Sequence, residues 1–250
     1  MKAAQHKRAA KKALKGNWGA AIGVFFIYAI LSGITGVLPE EYWWLNLIVI
    51  IFISGPLSVG YSWFHLDLVR MPNARIEVLF DGFSKRFWRN VFAPILVGIF
   101  TFLWSLLLII PGIIKSFSYS MTYYIMRDRP DLSILDAITE SRKLMDGKKA
   151  KLFFLMLSFI WWYIAPIATL IASGIMMGVS GEESLGFVFL GLGMMILSLV
   201  ATFAISIYVT PYYNTAVAVF YEDFVKPKSQ EDMYTLSLDK DETHAEDEKL

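Results

Sequence analysis

LFFLMLSFIWWYIAPIATLIASGIMMGV, residues 152–179, runs for 28 positions without a charged side chain. A helix needs about 20 apolar residues to cross the ~30 Å hydrocarbon core of a bilayer, so this stretch alone is long enough. It shows none of the apolar–polar alternation of a membrane barrel strand. A backbone in lipid must bond to itself, and one long helix satisfies that demand. Outward from it, five more segments have the same character: 18–38, 45–64, 91–110, 113–126 and 186–209. The segment 113–126 is the short one. Its 14 residues carry Lys115, and at helical rise they extend only about 21 Å. Basic residues flank it and its predecessor: Lys85, Arg86 and Arg89 before residue 91, Arg127 and Arg129 after residue 126. Both clusters belong on one side of a membrane, so the chain is expected to turn back between them, at Pro111-Gly112. The expected fold is all-α: a polytopic transmembrane bundle of six spans, arranged as three helical hairpins with amphipathic helices on the cytoplasmic face.

Composition supports a lipid environment. Hydrophobic residues make up 56% of the 250 and charged residues only 18%, against about 45–50% and about 25% in a soluble domain. There is no cysteine, which excludes disulfides, zinc–thiolate sites and thiol nucleophiles. The basic N-terminus before an apolar run resembles a signal peptide. That run is about 21 residues long without a small-x-small cleavage site, so it is expected to remain as a mature span.

Charge fixes the expected orientation. Of 23 Lys and Arg residues, 22 fall in four segments: residues 1–17, 65–90, 127–151 and the tail. The connections between them, Pro39-Glu40-Glu41-Tyr42 and Gly181-Glu182-Glu183, are acidic and carry no Lys or Arg. Cytoplasmic loops are enriched in Lys and Arg, so both termini are expected in the cytoplasm. Trp18, Trp43, Trp44 and Trp88 sit near the expected interfaces, where indole rings are favoured.

The domain reading follows: 1–17 a basic cytoplasmic helix, 18–224 the membrane domain, 225–250 an acidic tail. The tail is polar and aperiodic, and disorder is expected there. Within the membrane domain three units look alike, each a helix-compatible basic lead-in followed by two spans. The lead-ins are residues 3–15, 76–90 and 133–151. The first and third align around a glycine, Ala13-Leu14-Lys15-Gly16 against Leu144-Met145-Asp146-Gly147. The exits align as well, Pro56 and Asp67 against Pro211 and Glu222. Ser133 is the expected N-cap of the helix before residue 152, with Asp136 near its positive end.

Few residues could carry chemistry. Lys115 is a cation inside a membrane segment, which makes it a candidate contact to a lipid headgroup or substrate; close to a span's end, it is expected first to snorkel to the interface. His65 and Asp67 lie at the inner end of the second span and are expected to form a solvated, hydrogen-bonded cluster. The pairs Gly19/Gly23 and Gly174/Gly178 and the pair Ala168/Ala172 present small faces suited to helix packing, within the chain or in a homo-oligomer. Pro56 and Pro166 are expected kinks, Pro111 a turn and Pro211 an exit. No converging acid–base or metal-ligating set is present. The expectation is a protein that is not an enzyme and uses no metal or cofactor. Topology explains the basic residues, so nucleic acid is not an expected partner.

Four stretches taken in order resemble a known family. They are Leu14-Lys15-Gly16-Asn17-Trp18, Ile110-Pro111-Gly112-Ile113-Ile114-Lys115, Ser141-Arg142-Lys143-Leu144-Met145-Asp146-Gly147-Lys148, and Pro211-Tyr212-Tyr213 with Phe220-Tyr221. Together they resemble a bacterial family of integral membrane proteins known as domain of unknown function 975. The resemblance implies a multi-pass protein of the bacterial cytoplasmic membrane. It also implies a distant similarity to the membrane-embedded accessory domain of some glycerophosphodiester phosphodiesterases, which is not their catalytic part. No active-site residue comes with it. The expected function is non-enzymatic binding of a lipid, a hydrophobic peptide or a membrane-protein partner. The alternative is a transporter or exporter of small molecules or peptides, in which Lys115 would face a water-filled cavity.

Overall fold

A computed structural model describes residues 2–33, 39–71, 74–84, 86–179 and 185–247, without side chains for Glu40, Val179 and residues 225–247. The described residues are helical and contain no strand. The helices are α1 (Ala3–Leu14), α2 (Trp18–Gly33), α3 (Trp43–Val49), α4 (Gly55–Arg70), α5 (Phe87–Leu107), α6 (Ile109–Tyr119), α7 (Thr122–Asp128), α8 (Ile134–Leu144), α9 (Lys149–Val179) and α10 (Leu185–Asp247). A 3-10 helix, Ile76–Phe83, precedes α5.

Four helical stretches are long and apolar enough to cross a membrane: Trp43–Arg70, Phe87–Leu107, Lys149–Gly178 and Leu185–Phe224. The pair α1 and α2, bent by 97°, makes a fifth if counted as one broken span. These stretches overrun the expected bounds, because a charged residue ends an apolar run without ending a helix. The segment 113–126 is not one helix. α6 stops at Tyr119 and α7 starts at Thr122. The expected turn at Pro111-Gly112 is also displaced. The chain reverses at Leu108, whose backbone is extended (φ −163°, ψ 146°). Pro111 sits in the first turn of α6, where its missing N–H leaves no helical bond unmade. Gly112 serves close packing: a Cβ there would collide with Ser105 of α5.

The other prolines behave differently from one another. Pro56 begins α4 directly after a π-helical turn, Ile50–Ser54, and a widened turn relieves the clash between a proline ring and the carbonyl four residues back. Pro166 lies inside α9, and its carbonyl accepts a hydrogen bond from Ser198 Oγ at 2.6 Å. Pro211 is no exit. α10 continues through it, and the backbone stays helical to Asp247, where the sequence reading expects a disordered tail. The connection at Gly181-Glu182-Glu183, residues 34–38 of the first expected span, and Lys85 lie outside the described residues.

The three-unit reading has a concrete geometry. α1 and α8 match residue by residue at a constant separation of 131 positions. Their N-caps are Lys2 and Ser133; their buried positions are His6, Ala10 and Leu14 against Ala137, Ser141 and Met145. Gly16 (φ +89°) and Gly147 (φ +66°) follow, the two glycines with left-handed backbone among the described residues. The amides of Asn17 and Lys148 reach back equivalently to the carbonyls of Leu14 and Met145. Ser133 Oγ accepts from the Asp136 amide, as its capping role requires.

Each lead-in doubles back along an exit helix. The 3-10 helix packs on α4 so closely that a Cβ on Gly60 would meet the Leu79 carbonyl, and one on Gly82 the Pro56 carbonyl. α8 lies across the break between α6 and α7, where Ser141 Oγ donates to the Ser118 carbonyl and accepts from the Met121 amide. α1 lies on α10, with Tyr212 Oη donating to the Lys7 carbonyl. The exits α4, α6–α7 and α10 therefore sit at the centre, with one lead-in on each.

Burial follows this plan. Leu57, Phe64, Leu66, Leu68, Met121, Met126 and Phe220 are enclosed at the charged pole of the bundle. Beyond it the helices present bare apolar side chains, such as Ile109 at 76% and Trp161 at 75% exposure. One consequence can be tested by size-exclusion chromatography with a thermal ramp. Gly60→Val and Gly82→Val force side chains into backbone and should lower stability by the ~1–3 kcal/mol or more of overpacking. Gly23→Val and Gly174→Val, where a Cβ meets nothing within 4 Å, should leave the melting temperature nearly unchanged.

Candidate functional site

The exit helices end in carboxylates, and two arginines tie those ends together. Arg70, the last residue of α4, holds Asp128 of α7 in a two-point contact, Nη1–Oδ1 2.6 Å and Nη2–Oδ2 2.8 Å. Its Nε donates to Glu222 Oε1 of α10 at 2.7 Å. Arg127 repeats the arrangement with Asp67 of α4 at 2.9 Å and Asp81 of the 3-10 helix at 3.0 Å. Its guanidinium stacks 5.0 Å from the centre of the Trp63 ring, whose Nε1 donates to the Tyr123 carbonyl. Tyr221 Oη donates to Asp128 and its ring stacks on Tyr124. A planar guanidinium serves two carboxylates from fixed directions, which an ammonium does not.

His65 and Asp67 are not solvated, as the sequence reading expects, but enclosed. Asp67 is neutralised by Arg127. His65 lies 3.0 Å from Thr215 Oγ1 through Nδ1. The Thr215 hydroxyl donates to the Pro211 carbonyl, so Nδ1 carries the proton and Nε2 is a bare acceptor. Nε2 and the Tyr61 hydroxyl are both buried without a hydrogen-bond partner among the described residues.

Lys115 does not stand alone. Its ammonium sits 4.2 Å from the centre of the Trp104 ring and lines a cavity of about 330 Å³ with Ser118, Thr139, Arg142, Lys143, Asp146 and Lys149. α6 supplies Lys115 and Ser118, α8 supplies Thr139, Arg142 and Lys143, and α9 begins at Lys149. The Ser141 bonds described above hold α8 on α6, which brings these cations together. Lys143 pairs with Glu140 at 3.0 Å; Arg142 and Lys149 have no carboxylate partner among the described residues. The wall thus carries four cations and one carboxylate, Asp146. Lys115 was visible in the sequence as an isolated charge. Arg142 and Lys149 were not, because topology already explained them.

The small-residue faces do not pack within the chain. A Cβ on Gly19, Gly23, Gly174 or Gly178 would meet nothing within 4 Å, and Ala168 and Ala172 are exposed. Spacing alone gives a face and not the neighbour it meets. Close approach occurs instead at Gly60, Gly82, Gly112 and Gly191. Among the described residues no group of three His, Asp or Glu side chains is placed to hold a metal.

Two outcomes follow from these contacts. Arg70→Ala removes the ion pairs of Asp128 and the buried Glu222. Arg70 and Asp128 are about a quarter exposed, so the loss belongs at the lower end of the ~3–5 kcal/mol of a broken buried pair. Arg129→Ala removes the open contact to Glu140 and should cost under about 1 kcal/mol; melting curves of the two variants compare them. Second, burial lowers the pKa of His6, with the Asp223 carboxylate pulling the other way. The imidazole therefore folds neutral. A depressed histidine pKa leaves its stability contribution complete above the ordinary value of about 6.5 and removes it as pH falls below that. Wild type should thus lose melting temperature between pH 7.5 and 5 relative to His6→Gln.

Comparison with known proteins gives one result. No curated protein and no solved structure matches the chain. A family model described as protein of unknown function (DUF975) matches residues 1–115 and 106–228, which span the lead-ins, the exits, the arginine contacts and the Lys115 cavity. The chain belongs to the DUF975 family.

Proposed function

We propose that this protein is a non-enzymatic component of the bacterial cytoplasmic membrane that binds the anionic headgroup of a lipid at the Lys115 cavity. The observation that carries this reading is the convergence of Lys115, Arg142 and Lys149, with Lys143, on one cavity. A phosphate at the lipid–water boundary complements such a set, and basic pockets between membrane helices are a known headgroup environment. Trp104 supplies the amphipathic ring that suits the same depth.

The reading includes six crossings with both termini in the cytoplasm. Arg70 touches both Asp128 and Glu222, so the ends of α4 and α7 and position 222 of α10 lie on one side. His6 contacts Asp223 at 3.1 Å, which places α1 on that side too. An even number of crossings then lies between successive ends, and α5 with α6–α7 forms the middle hairpin although α6 alone is only 11 residues long. The excess of Lys and Arg at this pole supports a cytoplasmic location for it. α1 lies flat there, its basic face towards anionic lipid.

Native mass spectrometry in mild detergent tests the binding. Phosphatidylglycerol should add to the wild-type protein as a defined mass, and phosphatidylcholine should not. Arg142→Ala with Lys149→Ala should reduce the phosphatidylglycerol adduct about tenfold, the effect of roughly 1.4 kcal/mol. Equal adducts for both lipids, or an adduct indifferent to the double variant, contradict the proposal.

A further inference from the structure

A second cation-lined cavity, of about 550 Å³, opens between the end of α7 and the start of α5. Its wall includes Trp63, Ser84, Arg86, Arg89, Asn90 and Arg127, and no carboxylate among the described residues. The cations of this pole divide cleanly by partner. Arg70, Arg127 and Arg129 each hold a carboxylate at 2.6–3.1 Å. Arg86 and Arg89 hold none among the described residues. Arg89 reaches only the Met126 and Arg129 carbonyls, both at 3.4 Å, and its Nε is buried without a hydrogen-bond partner. Asp131 acts on Arg89 electrostatically but is not part of the wall. Asn90 is fully buried; its Nδ2 donates to the Gly82 carbonyl while its Oδ1 has no donor.

A part-buried guanidinium whose Nε is enclosed without a partner carries a desolvation cost that an anion offsets, and a cavity beside it gives room for one. Arg86 is also the N-cap of α5. The unbonded amides that open this 21-residue helix add partial positive charge next to the two guanidinium groups. We infer that the cavity at Arg86 and Arg89 is a phosphate-binding site, separate from the Lys115 cavity, that takes the phosphate ester of a lipid headgroup or of a soluble metabolite. Guanidinium groups grip phosphate through paired N–H donors. The indole of Trp63, with Arg127 already stacked against it, gives the organic part of the ester an apolar wall. Arg127 stays with Asp67 and Asp81 and contributes field, not a free donor. Ser84 brings a hydroxyl to the wall, with no His, Asp or Glu beside it among the described lining residues, so what the wall supports is binding.

The test uses the full chain in detergent, with a thermal ramp and native mass spectrometry as readouts. The probes are sn-glycerol 3-phosphate against glycerol, and phosphatidic acid against diacylglycerol. Either phosphate probe should raise the melting temperature where its uncharged counterpart does not. Arg86→Gln and Arg89→Gln should each weaken that binding about tenfold or more in a Lys149→Gln background, where the Lys115 cavity no longer contributes. Arg86 is exposed, so Arg86→Gln keeps the test valid if Arg89→Gln fails to fold. A response to both phosphate probes means the phosphate group alone is read; a response to phosphatidic acid alone assigns the site to lipid; a response to glycerol 3-phosphate alone assigns it to a soluble ester. No discrimination between phosphate and uncharged probes, or loss caused by Lys149→Gln instead of Arg86→Gln, overturns the inference. The Lys115 cavity can fail its own test without affecting this one, because the Arg86 and Arg89 variants are read with that cavity already disabled.

Discussion

Arg70 reaches two helices that are far apart in the chain. Its guanidinium closes on Asp128 and Glu222 together, 58 and 152 residues away, while Arg127 joins Asp67 to Asp81. These contacts fix the relative height of three helices whose apolar flanks would otherwise slide. Packing in lipid has little hydrophobic force to set register, since a lipid tail is as apolar as a leucine. Paired charges at the helix ends supply the register instead: any slip by one turn, ~5.4 Å, breaks every one of them. A fully buried ion pair often contributes little net stability, and specificity of alignment is a better account of its presence here. The half-buried position supports that account. Arg70 retains 27% exposure and Glu222 only 7%, so the cation keeps part of its hydration while the acid is held.

The rest of the bundle depends on that registration in two different ways. At the charged pole, water is excluded by folding the lead-ins back over the exits. Phe64, Leu66, Met126 and Phe220 pack there as in a soluble core, each worth about 1.5–3 kcal/mol on burial. Further along, Ile109, Trp161 and Leu185 face outward, and a bilayer removes their exposure to water. The molecule thus has one segment stabilised by its own packing and another that relies on lipid. Glycines concentrate their effect at the boundary: Gly60 and Gly82 admit the 3-10 helix, and Gly112 admits the α5–α6 reversal. A side chain at any of the three separates elements that the arginines hold in line.

Much of this was legible in the sequence and some was not. Apolar run length disclosed the long helices, because crossing a bilayer is a one-dimensional requirement. The matched spacings Pro56–Asp67 and Pro211–Glu222, with Gly16 against Gly147, disclosed the relation between units. The same evidence did not reveal that Asp128 completes the carboxylate set, because its helix carries no proline to mark the register. Pro111 misled, since proline in the first turn of a helix and proline in a loop look alike in sequence; the extended backbone at Leu108 makes the turn with an ordinary residue. The Gly19/Gly23 and Gly174/Gly178 pairs have no close neighbour within the described chain, as periodicity defines a face without its neighbour. His65 was placed at a solvated boundary because the run of apolar residues ends there, whereas α1, α4 and α10 enclose it.

The allocation of carboxylates decides where anions can be held. Each acid at the pole is near a cation, but the cations outnumber the acids along residues 65–151, so some must remain without a partner. They are not scattered. Arg142 and Lys149 gather with Lys115 at one cavity, Arg86 and Arg89 at another, each beside an aromatic ring. Apart from both sets stands the Arg70 and Arg127 network, in which every guanidinium is satisfied. An anion entering either cavity therefore meets field from both sets of cations, yet cannot displace an internal carboxylate without breaking the helix register. Holding the structural arginines in closed pairs keeps the two outer sets available, and this separation lets one charged pole serve both as a clamp for the bundle and as a surface for anionic ligands.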